Sequence, residues 1–272
     1  MLRKNEDLHP GFNLICDEEK DQMFMHIQLL IGRRGEAWPI ESEYQETALL
    51  LLSGTITYQY EGKTVTASRQ DLFHEDATCL HICRKTPVVL TFEEDGEVLI
   101  QQKINPQTFP SMLYDKSNID KQFFGEGKLA ATTKRQVTTI LDYERTPYSK
   151  MVLGEITNFP GIWSRYPPHH YPQPEVYFYK FDHPQGFSSC FMGEDVYKIT
   201  HNSAAMIAGG LTHPQNAAPG YAMFYVWMIP HLEGNPWIKT RTFDPNHEWV
   251  NNENAEFFQL ENKKEKGETQ HE

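Results

Sequence analysis

Short apolar runs, each cut off by turn-forming residues, recur from Met23 to Leu99 and again from Val137 to Ile229, and no stretch between them repeats at a helical period. In the first region the runs are MFMHIQLLIG, ETALLLLSG, TITYQYEG, KTVTAS, TCLHIC and PVVLTFEEDG. In the second they are MVLGEITNF, EVYFYKF, GFSSCFMG, DVYKIT, SAAMIAGG and YAMFYVWMI. Such spacing excludes a helical bundle and a βαβ protein, and it predicts a chain of antiparallel strands in sandwiches or barrels. Ser53-Gly54 and Glu61-Gly62 stand where tight turns are expected. The segment 102–136 is polar and without alternation, so it is expected to link two halves while wrapping one of them. The division that follows is an N-terminal barrel with linker over 1–136, a C-terminal barrel over 137–260, and a disordered tail over 261–272.

Charge narrows the partners. Lys and Arg number 25 against 37 Asp and Glu, a net charge of -12, with no basic block. A polyanion is repelled by such a surface on average, so nucleic acid is not an expected partner. A small anionic ligand is different, because one local cation suffices. No apolar run reaches spanning length, and the start, MLRKNEDLHPGF, lacks the apolar core of a signal peptide. Four cysteines, at 16, 79, 83 and 190, are too few for a disulfide framework in 272 residues. Reduced thiols, a cytoplasmic location and no membrane contact are expected. A homo-oligomer is left open.

The chemistry concentrates in WSRYPPHHYPQPEVYFYKF, from Trp163 to Phe181, and in GGLTHPQN, from Gly209 to Asn216. His169 and His170 lie on a proline-rich loop, Glu175 opens an alternating strand, and His213 follows a glycine pair. Imidazole nitrogens with a carboxylate can hold a first-row divalent metal and leave positions open for substrate. The prolines free the two histidines from the two-residue face rule of a strand. Each residue alone has a bland reading: a hydrogen-bonded histidine pair, a strand-edge charge, a turn cap. Tyr177 and Tyr179 share a strand face with Glu175, and Tyr225 is a further hydroxyl, although aromatic core packing is the simpler reading of each. Arg165, just before the histidines, could grip a carboxylate bidentately or stay solvated.

YPPHHYPQPEVYFYKF, PQGF, AAPGY and DPNHEWV are similar, in that order, to the successive motifs of the 5-deoxy-glucuronate isomerase family. RQVTTIL, GEI and WSRYPPH resemble the same family's entry into its second barrel. The resemblance covers nearly the whole chain and implies a bicupin, two antiparallel jelly-roll-like β-barrels in one chain. It implies a metal-dependent aldose–ketose isomerase that converts 5-deoxy-glucuronate to 2-deoxy-5-keto-gluconate in inositol breakdown. It also implies a divalent metal, zinc first, with manganese or iron compatible. The expected ligands are His169, His170, Glu175 and His213; Glu175, Tyr179 and Tyr225 are the expected catalytic groups, and Arg165 the substrate contact.

One detail departs from the family pattern. The related 5-keto-4-deoxyuronate isomerase, which shares EVYFY, carries His-x-His-x4-Glu. Counting back from Glu175 puts His170 on the second family histidine and Pro168 on the first. Counting forward from YPPH puts His169 on the first and Tyr171 on the second. The sister reaction on 4-deoxy-5-ketouronate, a sugar-binding bicupin without turnover and an iron-dependent dioxygenase are the alternatives. In the first half, Cys79, His81 and Cys83 along one strand span too far to share an ion and read as buried packing. Glu46 is the one acid near a first-half motif, His247 is expected to be structural, and Trp249 is expected to dock the C-terminal segment.

Overall fold

The structure is a computed structural model that describes residues 1–258. The expected tail over 261–272 lies outside the described residues. All strand pairs are antiparallel, and the only helical pieces among the described residues are two short 3-10 turns, Leu129–Ala131 and Glu248–Asn251. The strands pair as open sheets.

In the first half one long strand, Gln45–Tyr60, organises the rest. Its beginning pairs with Thr78–Ile82 and Gly96–Ile104, and its end pairs with Lys63–Arg69 and Val88–Phe92. The turn expected at Ser53-Gly54 is therefore a bend within a continuous strand. A register shift falls between Leu51 and Ser53, and Gly54 takes φ 90°, where a Cβ would stand 2.5 Å from the Asp95 carbonyl oxygen. The turn expected at Glu61-Gly62 is present, with φ 47° and 72° closing the Tyr60–Lys63 hairpin.

The second half has a large sheet of Glu175–Phe181, Met223–Pro230, Met151–Asn158 and Arg135–Leu141, faced by a smaller one of Trp163–Ser164, Gln215–Ala217, Phe187–Met192 and Asp195–Thr200. Two segments of earlier sequence extend the large sheet. Leu2–Arg3 pairs with Ala204–Ala205, and Asp120–Phe124, inside the expected linker, pairs with Arg135–Thr139.

Alternation sorts the apolar side chains into three clusters. Leu49 and Leu51 join the first half's own core, while Ala48, Leu50 and Leu52 point the other way, which is why this strand reads as an unbroken apolar run. Val176 and Phe178 meet them from the second half, while Tyr177 and Tyr179 turn into that half's own core. The shared cluster holds Ile27, Leu50, Leu99, Leu153, Val176, Val226 and Met228, so the halves pack sheet face to sheet face. Each fully buried aliphatic chain there stabilises the pair by about 1.5–3 kcal/mol. Polar contacts pin the register of the two faces: Arg69 reaches across to Glu155 with two hydrogen bonds of 2.6 and 2.9 Å, both side chains being buried.

Candidate active site

Glu175 begins the strand whose alternation sends Tyr177 and Tyr179 to the same interior face. His213 comes from the loop after Ala204–Ile207. That loop is held against the proline-rich segment: the Gly210 N–H donates to the Tyr171 carbonyl at 2.7 Å, and a Cβ on Gly209 would overlap the Pro172 carbonyl oxygen. His169 and His170 form a two-residue strand paired with Phe243 and Thr242, and this pairing carries Arg241 to the site. Because neighbours in a strand face opposite ways, His169 is buried and His170 is half-exposed.

Glu175 is buried and contacted on both oxygens. Arg165 donates to Oε2 at 3.2 Å, the Tyr177 hydroxyl donates to the same oxygen at 2.5 Å, and His213 Nε2 stands 3.2 Å from Oε1. His213 and His169 are each set by a backbone carbonyl on Nδ1, Leu211 at 2.9 Å and Pro167 at 2.7 Å. Their rings lie 5.8 Å apart, centre to centre. The Tyr171 hydroxyl is 3.5 Å from His169 Nε2 and accepts from Arg241 Nε at 3.2 Å. Tyr179 donates to Gln215 at 2.7 Å, and the Tyr225 hydroxyl pairs with Ser164 at 2.6 Å.

Burial alone would raise the Glu175 carboxyl, but Arg165, His213 and Tyr177 outweigh it and hold the group down at about 2. Burial pushes His169 down to about 3; the Pro167 carbonyl opposes this, while His213, Arg165 and Arg241 add to it. His169 is therefore a neutral imidazole at physiological pH. Burial also drives the Tyr177, Tyr179 and Tyr225 phenols upward, so none of the three is a phenolate.

Beside this cluster lies a cleft of about 410 Å³ whose wall includes Lys128, Arg135, Tyr166, His169, Arg241 and Phe243. A smaller cavity of about 70 Å³ shares Phe124, Arg135 and Arg241 with it and adds Arg165, Trp227 and Lys239. Lys239 is neutralised by Asp142 at 2.8 Å and Glu144 at 3.3 Å. Arg135 and Arg241 form no ion pair among the described residues. Burial, and then the neighbouring Arg165 and Arg241, pull the Arg135 guanidinium below its ordinary range. Arg135 is half-buried and Arg241 exposed; in a chain of net charge -12, two neighbouring guanidiniums without an ion-pair partner suit an anion.

Of the residues expected from sequence, the structure brings together Glu175, His213, His169 and Arg165, with Arg165 bound to Glu175 rather than solvated. It does not bring in His170, whose side chain shares no hydrogen bond or ring contact with that cluster and whose Nδ1 has no partner. The forward count from YPPH is the one the fold uses, placing His169 and Tyr171 side by side. Tyr179 and Tyr225 sit in the second half's core with their hydroxyls satisfied by Gln215 and Ser164, so packing describes them better than catalysis does. Trp249 is half-exposed and touches Phe257, a looser docking than expected. Arg135 and Arg241 escaped sequence reasoning. Their signal was only the second basic residue in KTRTF and the basic start of RQVTTIL, and neither pattern is specific.

The divalent metal implied by resemblance can be tested against these side chains. In its favour, His213 Nε2 and Glu175 Oε1 are buried without a hydrogen-bond partner, and Nδ1 of both histidines is fixed as in metal-binding imidazoles. Against it, the second oxygen and the charge of Glu175 are taken by Arg165, and the position expected for a further histidine is the phenol of Tyr171, itself engaged by Arg241. Among the described residues no group of three or more His, Cys, Asp or Glu stands close enough to hold an ion. With Arg165 on Glu175 and Tyr171 where a further imidazole is expected, the side chains as arranged do not fit a resident divalent metal; of the expected set, His169, Glu175 and His213 lie together and His170 does not. Among the described residues no helix is long and apolar enough to cross a membrane.

Comparison with known proteins places this geometry in context. A model of the KduI/IolB family matches residues 2–250. The 5-deoxy-glucuronate isomerase of Geobacillus kaustophilus is 24% identical over 84% of this chain and 86% of that protein. The enzyme of the same name from Bacillus subtilis is 22% identical over 92% of this chain and 98% of that protein. Among solved structures, an IolB-like protein from Salmonella typhimurium superposes with a TM-score of 0.82 at 18% identity, over 92% of this chain and 99% of that one. Oxalate decarboxylase of Bacillus subtilis, a protein with Mn(II) centres, superposes with a TM-score of 0.61 at 10% identity, over 89% of this chain and 79% of that one. The fold is thus the bicupin that the strand rhythm and motifs led us to expect.

Proposed function

The chain belongs to the KduI/IolB family, and we propose that it is an aldose–ketose isomerase of small sugar acids, converting 5-deoxy-glucuronate to 2-deoxy-5-keto-gluconate. The observation that carries the substrate class is the cleft wall, where Arg135 and Arg241 lie together, neither in an ion pair, with Lys128 beside them and Glu253 the one acid in the lining. A sugar carboxylate is planar, and a guanidinium can bind it through two parallel hydrogen bonds. The name of the curated relatives supports the reaction.

Such an isomerisation moves one proton from C2 to C1 of the open-chain sugar and one between the two oxygens. His169 stands at the cleft wall as a neutral imidazole with Nε2 unprotonated, since Nδ1 donates to Pro167. It is the group placed to take the C2 proton and return it to C1. An arriving carboxylate offsets the positive charge of Arg241 and Arg135 and so raises the basicity of His169. The Tyr171 hydroxyl, next to His169 Nε2, can pass the oxygen-bound proton. A positioned acid or base of this kind contributes about 10²–10⁴-fold.

A second reading, a sugar-acid-binding bicupin without turnover, is favoured by the Arg165–Glu175 pairing, which silences the site's carboxylate. Following 5-deoxy-glucuronate and 4-deoxy-5-ketouronate by proton NMR with purified protein separates the readings. Conversion of the first supports the proposal, conversion of the second alone transfers it to the sister reaction, and binding without conversion of either establishes the second reading.

A further inference from the structure

We propose that Arg165 is the resident cation of the second half, occupying the electrostatic role at Glu175 that a divalent ion would fill, and that the protein holds no such ion there. The charge claim stands on geometry alone; what the cation does to a sugar rests on the isomerase reading above.

Arg165 is placed by an unusual backbone. It takes φ 54°, a left-handed conformation that a non-glycine residue adopts only where the surroundings impose it. The side chain is thereby buried in the interior, its guanidinium centre 5.3 Å from the Tyr177 ring and 5.4 Å from the Trp227 ring. Two aromatic faces stabilise a desolvated cation there. The guanidinium bonds Glu175 Oε2, and the Tyr177 hydroxyl completes that oxygen's shell. One positive and one negative charge cancel in this buried space. A divalent ion at Glu175 Oε1 and His213 Nε2 would stand beside a guanidinium that cannot lose its proton and is sealed from water, so the two cations would repel in a poorly screened interior.

The guanidinium is not spent on Glu175. Its Nε is buried without a hydrogen-bond partner, and the side chain lines a small cavity whose wall shares Arg135 and Arg241 with the cleft. A buried donor without a partner is costly. A sugar hydroxyl or carbonyl oxygen reaching that cavity would meet a fixed positive charge. Arg165 would then polarise the oxygen as a hydrogen-bonding electrophile, with no exchange of electrons and no change in its own protonation.

Three proteins test this: wild type, Arg165→Ala and Arg165→Lys, each expressed with added zinc and manganese salts, purified without chelator, and measured by elemental analysis and by titration calorimetry with each ion. Wild type and the lysine variant are expected to hold far less than one ion per chain. Arg165→Ala is expected to take up zinc with affinity on the order of tenfold or more above wild type, since one like charge at close range is gone, and to melt at higher temperature when zinc is added. A wild type that carries one ion per chain overturns the proposal, as does a folded Arg165→Ala that binds zinc no better than wild type. If the alanine variant does not fold even with zinc, the ion content of wild type and of the lysine variant still decides. None of these readings requires turnover, so an absence of isomerase activity would sink the proposed function and leave this inference standing.

Discussion

Each half of the molecule buries one glutamate against one histidine, and the two pairs are bonded in opposite ways. In the first half Glu46 accepts from His81 Nε2 at 2.8 Å, from Ser149 Oγ at 2.9 Å, from the Lys150 N–H at 2.5 Å and from Asn105 at 3.2 Å. Both oxygens are satisfied, and two of the donors come from the second half. In the second half Glu175 Oε1 and His213 Nε2 face each other without a hydrogen bond, and a cationic cleft lies alongside. A carboxylate saturated in a dry interior latches structure, because its donors would be stranded if it left, although His81 Nδ1 there has no partner. An open one next to a cavity is where chemistry can enter. The first pair joins the two halves and the second lies beside the cleft, although the sequence presents both simply as a Glu and a His on strands or loops.

The largest effect expected from breaking this contrast is on stability. Glu46→Ala strands four donors and should cost about 3–5 kcal/mol in denaturant unfolding, with turnover per folded molecule unchanged. Loss of turnover with stability intact would mean that the first half also holds a site. In the second half the order reverses: His169→Gln should lower kcat by about 100-fold while urea unfolding shifts little. A rise only in KM would assign His169 to binding instead. Arg241→Ala should come next, raising KM for the sugar acid by about tenfold through loss of one charge-assisted contact; unchanged KM would remove the arginine from the anion site.

Acid should weaken the second half modestly. Burial pushes His231, whose Nδ1 accepts the Trp237 N–H at 3.0 Å, down to about 4, and His169 down to about 3. Between those values and the ordinary 6.5 the unfolded chain binds a proton that the folded one refuses, so stability is full above 6.5 and declines as pH falls toward 4 and then 3. His231→Gln should flatten the upper part of that decline; a slope that does not change would exclude His231 as its source. The smallest effect is expected for His170→Ala, within about 0.5 kcal/mol in stability and with kcat unaltered, and a large loss there would restore the backward alignment from Glu175.

Much of this was legible from residues alone. The strand rhythm set the two antiparallel halves, and alternation in EVYFYKF placed Glu175, Tyr177 and Tyr179 on one face. What was illegible has physical reasons. Gly54 permits a bend that lets one strand serve two sheets, and a Ser-Gly pair looks the same whether the chain turns or bends. The prolines around His169 and His170 suspend alternation, so only the pairing with Thr242–Phe243 decides which histidine faces inward. The same long-range pairing brings Arg241 next to Tyr171, and Arg135 arrives from a third strand; no local pattern encodes a meeting of that kind. From sequence Arg165 could equally be a carboxylate contact or a solvated loop charge, because its burial against Glu175 depends on a backbone conformation that composition does not announce.

The most direct measurement is kcat/KM for 5-deoxy-glucuronate and for the corresponding neutral sugar, in which a hydroxymethyl group replaces the carboxylate, on wild type and on Arg135→Ala/Arg241→Ala. Wild type is expected to isomerise the acid and leave the neutral sugar essentially untouched, and the double variant to lose that preference. Equal rates on both sugars, or folded wild type that turns over neither, would contradict a sugar-acid isomerase centred on the cationic cleft of the second half.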